Sequence, residues 1–140
     1  MHGPNRPFSY ALFRVVPNLD RGEALNVGVL VFCRPLDYLG VRVHLDADRL
    51  RSLWPALDSE ELRPHLQAIE RIAVGDPGAG PIAQLDPTGR FHWLVSPSST
   101  MIQPSEVHTG VCGDPTAELR HLYEELVAPP APAPKRTRDR

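Results

Sequence analysis

Two histidines stand in one polar stretch of the chain, FHWLVSPSSTMIQPSEVHTG, which spans residues 91–110. Histidine changes its charge near neutral pH, so His92 and His108 could act as a general acid and a general base if the fold brought them together. A paired H-x-[ST] pattern would support that chemistry, but Leu94 and Gly110 occupy the third positions. His92 and His108 are therefore candidate catalytic residues without a supporting motif. The alternative is that each is a structural histidine bonded to neighbouring backbone.

Metal and cofactor chemistry have little support in the sequence. A metal site built from His92, His108 and Cys112 lacks the ligand spacing of zinc motifs. The other cysteine, Cys33, is distant from Cys112, and we predict that both are buried, reduced thiols. The chain has no P-loop, no G-x-S-x-G motif and no paired-carboxylate motif. We therefore predict no metal and no cofactor, and we leave enzymatic activity uncertain while favouring none.

An arginine in an apolar strand is a candidate anion ligand. Arg14 lies between Leu12 and Val16 on one side of a predicted strand. Its side chain could reach solvent, pair with the carboxylate of Glu23 or Asp20, or line a pocket that receives an anion. The sequence leaves these three alternatives open.

Hydroxyl and amide side chains elsewhere could complete such a site. The turn SPSST, residues 96–100, could offer hydroxyl and backbone N–H groups to a phosphate, although it lacks the glycines and lysine of a P-loop. A turn held by hydroxyl-to-backbone hydrogen bonds is the alternative. Gly28, on the same strand face as Asn26, indicates close approach of a backbone or a ligand. The candidate ligand-binding residues are Arg14, Asn26, Ser99, Thr100 and Gln103.

The composition is that of a soluble globular domain, with 41% hydrophobic and 23% charged residues among 140. A net charge of −2 offers no basic surface for nucleic acid, and the basic cluster KRTR lies in the last residues. No secretory leader and no transmembrane segment is evident. These two observations predict a cytoplasmic protein, and abundant Ala, Pro and Gly, with arginine greatly outnumbering lysine, predict a bacterial source.

An apolar and aromatic run, a near-continuous β-branched run and an alternating segment predict an antiparallel meander of three strands at residues 8–16, 25–33 and 38–45. Two helices should follow, a short one that ends before Pro55 and a longer one that begins after Asp58. Pro64 should either kink the first turn of the second helix or delay its start. Its core-facing stripe should consist of Leu62, Leu66, Ile69 and Ala73.

The stretch from residue 90 to residue 104 predicts a strand, a turn and a second short strand. RFHWLV has the aromatic and β-branched content of a strand, and MIQ follows the turn until Pro104 ends the pairing. Strand side chains alternate between two sides. We therefore expect Trp93 and Val95 to face the core, and His92 and Leu94 to face the opposite side.

A helix capped by Asp114 closes the folded part of the chain, with apolar residues at helical spacing up to Val127. Residues 1–127 are predicted to form one domain, and residues 128–140 a disordered tail rich in proline and basic residues. The predicted fold class is α+β. It has an antiparallel sheet built on an N-terminal three-stranded meander, with helices packed on one face and a C-terminal helix.

Three stretches resemble a single bacterial family: YALFRVVPNLDRGEALNVGVLVFC, FHWLVSPSSTMIQPSEVHTGVC and DPTAELRHLYEEL. Together they cover about residues 9–127 and resemble the bacterial domain-of-unknown-function family 3037. That family has no assigned activity, so the resemblance implies no catalytic residues. Its members tend to be encoded beside a HipA-like kinase, and the resemblance therefore implies a protein partner of that kind.

Three functions follow from these observations. The favoured one is a non-catalytic binding or regulatory module that acts with a protein partner. The alternatives are a small enzyme or ligand-binding domain for a phosphorylated or anionic metabolite, using Arg14, His92 and His108, and a nucleic-acid-binding protein that uses its tail. A pocket holding Arg14 and both histidines would favour the metabolite, whereas an exposed apolar patch or a bare strand edge would favour the protein partner.

Overall fold

The computed structural model describes residues 4–98 and 100–130. The predicted meander is present as β1 (Arg6–Val15), β2 (Leu25–Cys33) and β3 (Tyr38–Val43), which pair antiparallel in that order. The bounds of β2 are those predicted, because its run of β-branched and aliphatic residues is buried on both faces of the sheet.

Two short strands complete the sheet on the other side of β1. β4 (Ile102–Pro104) pairs antiparallel with the end of β1, and β5 (His108–Cys112) pairs antiparallel with its beginning. The predicted fold class, an antiparallel sheet built on the N-terminal meander, is confirmed. β1 lies at the centre of the sheet and β5 lies at one edge.

Three helices cover one face of the sheet, and the C-terminal helix covers the other. The first core cluster joins α1 (Ala47–Leu53), α2 (Arg63–Ala73) and α3 (Pro87–Leu94) to one side of β1 and β2. The second cluster joins α4 (Pro115–Leu126) to the opposite side. The predicted stripe of α2 is buried throughout, and α2 begins just before Pro64, as expected.

The prediction of a strand at residues 90–95 is wrong, because these residues lie in and just after α3. The Asp86 carboxylate accepts a hydrogen bond from the backbone N–H of Gly89 at 2.8 Å, and Pro87 occupies the first turn. These two features start a helix despite the strand-like composition that follows. Phe91 enters the core and stacks on Phe32 with 4.7 Å between ring centroids.

The expected side-chain pattern of this segment is wrong for the same reason. Phe91 and Leu94, three residues apart, face the core together, as a helix requires. Trp93, expected to face the core, is 48% exposed. His92 is exposed and does not share a side with the buried Leu94.

None of the helices in the described residues is both long enough and apolar enough to cross a bilayer. Of the predicted tail, residues 131–140 lie outside the described residues, as does Ser99.

Candidate functional site

The two candidate catalytic histidines lie on opposite sides of the sheet. His92 belongs to α3, which packs on one face, whereas His108 belongs to β5 and stacks on Tyr10 at 5.0 Å between ring centroids. Tyr10 packs against the core cluster of α4, on the other face. The sheet therefore separates the rings of His92 and His108, and the structure does not bring them together for acid–base chemistry.

His108 has local partners of its own. Its Nε2 lies 3.6 Å from Oε1 of Glu106, so the two form an ion pair when the histidine is protonated. Both side chains are accessible to solvent, and such pairs contribute little to stability. These contacts place His108 beside the edge of the sheet, with Tyr10 and Glu106 as its neighbours.

The two cysteines are buried and reduced, as predicted. Both belong to the core cluster beneath α4. Burial raises the pKa of the Cys112 thiol, and the neighbouring Cys33 raises it further. A raised pKa disfavours the thiolate, which is the reactive and metal-binding form. Within residues 4–98 and 100–130, no group of three His, Cys, Asp or Glu side chains is arranged to hold a metal ion.

Three of the candidate ligand-binding residues form one row across the sheet. Arg14 on β1 lies opposite Asn26 on β2 and opposite Gln103 on β4. The Asn26 amide donates to the backbone carbonyl of Leu126 at 3.0 Å, which satisfies a carbonyl at the C-terminal end of α4. The side-chain amides of Asn26 and Gln103 thus flank the arginine, and that of Asn26 is hydrogen-bonded to the backbone.

One of the two carboxylates expected as a partner of Arg14 pairs with another arginine. Glu23 pairs with Arg21 at 2.8 Å on the exposed surface. In the part of the chain that the structure describes, no ion pair includes Arg14. Its side chain is partly accessible to solvent, in line with the first of the three alternatives.

Thr100 is the centre of a hydrogen-bond network that joins the polar turn to α2. Its hydroxyl donates to the carbonyl of Ile102 at 3.1 Å, lies 2.9 Å from Oγ of Ser98, and lies 3.3 Å from Nδ1 of His65. The amide of Gln103 donates to the backbone carbonyl of Thr100. Thr100 and Gln103 are therefore neighbours, while Ser99 lies outside the described residues.

His65 was not predicted from the sequence as a site residue. It stands in the first turn of α2, and no motif marks it. Burial lowers the pKa of His65 below its ordinary value, which favours the neutral ring. Only the folded chain shows that it lines a cavity with Ser96 and Ser98 and contacts Thr100.

The outer edge of β5 is the other exposed feature. Val111 is 63% exposed and Val107 is 41% exposed, and the adjoining Thr109 is also exposed. His108 and Cys112 point towards the α4 side. Thr109 and Val111 therefore point to the opposite side, which the described helices leave uncovered.

Ser105 fixes this edge to the sheet and was also missed by sequence reasoning. Its backbone N–H donates to the carbonyl of Leu12 at 2.7 Å, and its hydroxyl accepts from the N–H of Leu12 at 2.8 Å. The Ser105 hydroxyl thereby takes the place of a backbone carbonyl as the acceptor for Leu12. This buried serine bonds to β1 between β4 and β5, so both strands lie along the same side of β1.

β5 pairs with β1 alone among the strands of residues 4–98 and 100–130. Alternate residues of an edge strand direct their backbone N–H and C=O groups away from the sheet. This edge combines unpaired backbone groups with exposed valines, and can receive another extended chain.

Comparison with known proteins supplies the family and nothing finer. No curated protein and no solved structure shows significant similarity to the chain. The family model described as a protein of unknown function, DUF3037, matches residues 10–127. That match covers most of the chain, and the protein therefore belongs to the DUF3037 family.

Proposed function

We propose that this protein is a non-catalytic protein-binding module, and that the outer edge of β5 receives an extended strand of the partner. The observation that carries the proposal is an edge that no other strand of the described residues covers, with its exposed valines, Val107 and Val111. A strand that adds to an edge gains main-chain hydrogen bonds, and alternate side chains supply specificity.

The partner segment should be extended and should carry apolar residues at alternate positions. Val111 and Val107 present the apolar contacts. The carboxylate of Glu106 pairs with His108 at the start of β5, and 75% of its side chain is exposed. A basic residue in the partner at that point would complement Glu106. The family resemblance suggests a HipA-like kinase as the protein that provides this segment.

The placement of the histidines supports a binding role over catalysis. His92 and His108 lie on different faces, and the Cys112 thiol has a raised pKa. The arrangement that would favour a metabolite, a pocket holding Arg14 with both histidines, is incompatible with these positions.

The test introduces charge on the edge without touching the core. The double variant Val107→Lys/Val111→Lys places two cations where the partner strand would pack. The matched control is Val74→Lys, because Val74 is a 72% exposed valine at the end of α2. Affinity for a HipA-like kinase, the partner that the family resemblance suggests, is measured by isothermal titration. Backbone protection is measured by hydrogen exchange with and without that kinase.

We expect the double variant to lose at least about tenfold in affinity, whereas Val74→Lys should bind as the unmodified protein does. The amides of β5 should gain protection in the complex. Equal affinity of all three proteins, or a complex that leaves the β5 amides unprotected, would contradict the proposed edge. Failure of the kinase to bind the unmodified protein would contradict the proposed partner.

A further inference from the structure

A cavity of about 190 Å³ lies between α2, α3 and the polar turn, away from β5. Seven of its ten lining residues are apolar, and Trp93 and Phe13 contribute aromatic rings. The polar members are His65, Ser96 and Ser98. The cavity therefore suits a mostly apolar guest that makes one or two hydrogen bonds.

The hydrogen-bond network sets the tautomer of His65. The Thr100 hydroxyl has one proton, and the carbonyl of Ile102 can only accept, so that proton is used there. The backbone N–H of Thr100 donates to Oγ of Ser98, which leaves the Ser98 hydroxyl proton for Oγ1 of Thr100. The contact with His65 then requires the ring to donate through Nδ1–H.

A neutral imidazole that carries its proton on Nδ1 has an unprotonated Nε2. This nitrogen makes no hydrogen bond to the described residues. His65 lines the cavity, and its ring is held in place through Nδ1. A residue that lines this mainly apolar cavity thus carries an acceptor, Nε2, that the described residues leave unpaired.

Size narrows the class of guest further. A dry cavity of roughly 150 Å³ accommodates a benzene ring in a protein core. The cavity beside His65, at about 190 Å³, is large enough for such a ring. Trp93 and Phe13 can stack against a ring or contact its edge.

We propose that this cavity binds a small aromatic compound that carries a hydroxyl or N–H donor, and that Nε2 of His65 accepts the hydrogen bond from that donor. This site is separate from the β5 edge, so it can hold or fail independently of the proposed partner binding.

Phenol and toluene provide a matched pair of probes, since they share a ring and a similar volume but only phenol has a donor. The chain has two tryptophans, so its spectrum shows two indole N–H signals, and Trp54→Phe assigns them. Binding is followed as the shift of the Trp93 indole signal in ¹H–¹⁵N correlation spectra. We expect a saturable shift with a Kd in the millimolar range, and about fivefold tighter binding of phenol than of toluene.

His65→Leu should bring the phenol-to-toluene ratio close to one, because the acceptor is lost. The control is His121→Leu, which removes an exposed histidine from α4 and should preserve the ratio. Thr100→Val supplies a second test if His65→Leu fails to fold, because Nδ1–H then loses its acceptor and the ring its orientation. Absence of a saturable Trp93 shift at about 10 mM phenol would overturn the proposal, and so would an unchanged ratio in folded His65→Leu or Thr100→Val.

Discussion

The helices α3 and α4 begin with the same three residues, yet only α4 was predicted correctly. Asp86 and Asp114 each precede Pro-Thr and accept a hydrogen bond from a backbone N–H in the first turn, at 2.8 Å and 3.0 Å. After this start, α4 carries an apolar stripe over twelve residues, whereas α3 has eight residues rich in aromatics.

The comparison shows how local signals compete. α4 has agreeing signals, since the cap, the proline and the spacing of Leu119 and Leu122 all favour a helix. In α3 the cap and proline favour a helix, while Gly89 and the following aromatic residues oppose it. The segment forms a helix because Phe91 and Leu94, three residues apart, still reach the core. A capped start can outweigh strand-like composition over a short segment.

The largest expected effect comes from truncating one core leucine in each helix. Leu94 and Leu122 are 4% and 9% exposed, so Leu94→Ala and Leu122→Ala should each lower the free energy of unfolding by about 2–5 kcal/mol. Denaturant unfolding measures both. The control Leu53→Ala, at a 52% exposed leucine, should change it by less than about 0.5 kcal/mol. A loss below that value at Leu94 would show that α3 is peripheral.

Removal of the caps should have an intermediate effect. Asp86→Ala and Asp114→Ala should each cost about 0.5–2 kcal/mol, because each leaves a first-turn N–H without its acceptor. We expect the larger loss at Asp86, since α3 is shorter and contains a glycine. Thermal unfolding compares the variants, with Asp86→Asn and Asp114→Asn as controls that retain a capping oxygen. An Asp86→Ala variant with unchanged stability would refute the conclusion that the Asp86 cap determines the helical structure of α3.

The smallest effect is expected from the exposed histidines of the two helices. His92→Ala in α3 and His121→Ala in α4 should each change stability by less than about 0.5 kcal/mol, because both side chains project into solvent. The two variants are compared by thermal unfolding in one buffer. A clear loss of stability in His92→Ala alone would support the interpretation of His92 as a structural histidine.

The elements that sequence reasoning identified are those whose pattern is complete within the segment. The apolar run of β2 and the stripe of α4 each specify their own structure, because burial on two faces or on one follows from spacing alone. β5 was not recognised as a strand. Its Thr109 and Val111 are exposed, while Gly110 lies against the ring of Phe8, so little apolar alternation is visible in the sequence.

The candidate sites were less accessible to prediction, since they depend on contacts between distant residues. Arg14, Asn26 and Gln103 were named individually, but their alignment depends on the strand order around β1. His65 acquires its role through Thr100, which is 35 residues away in the chain. Distances of this kind depend on tertiary packing and leave no periodic signal in the sequence.

The central position of β1 has a consequence for synthesis of the protein. One side of β1 pairs with β2 soon after in the sequence, but its other side pairs only with residues up to Cys112. Ribosomes add about 5–20 residues per second, so this side stays unpaired for roughly 4–16 s after Cys33 is made. During that interval the nascent chain exposes an apolar strand edge, and we expect chaperone protection to matter most then.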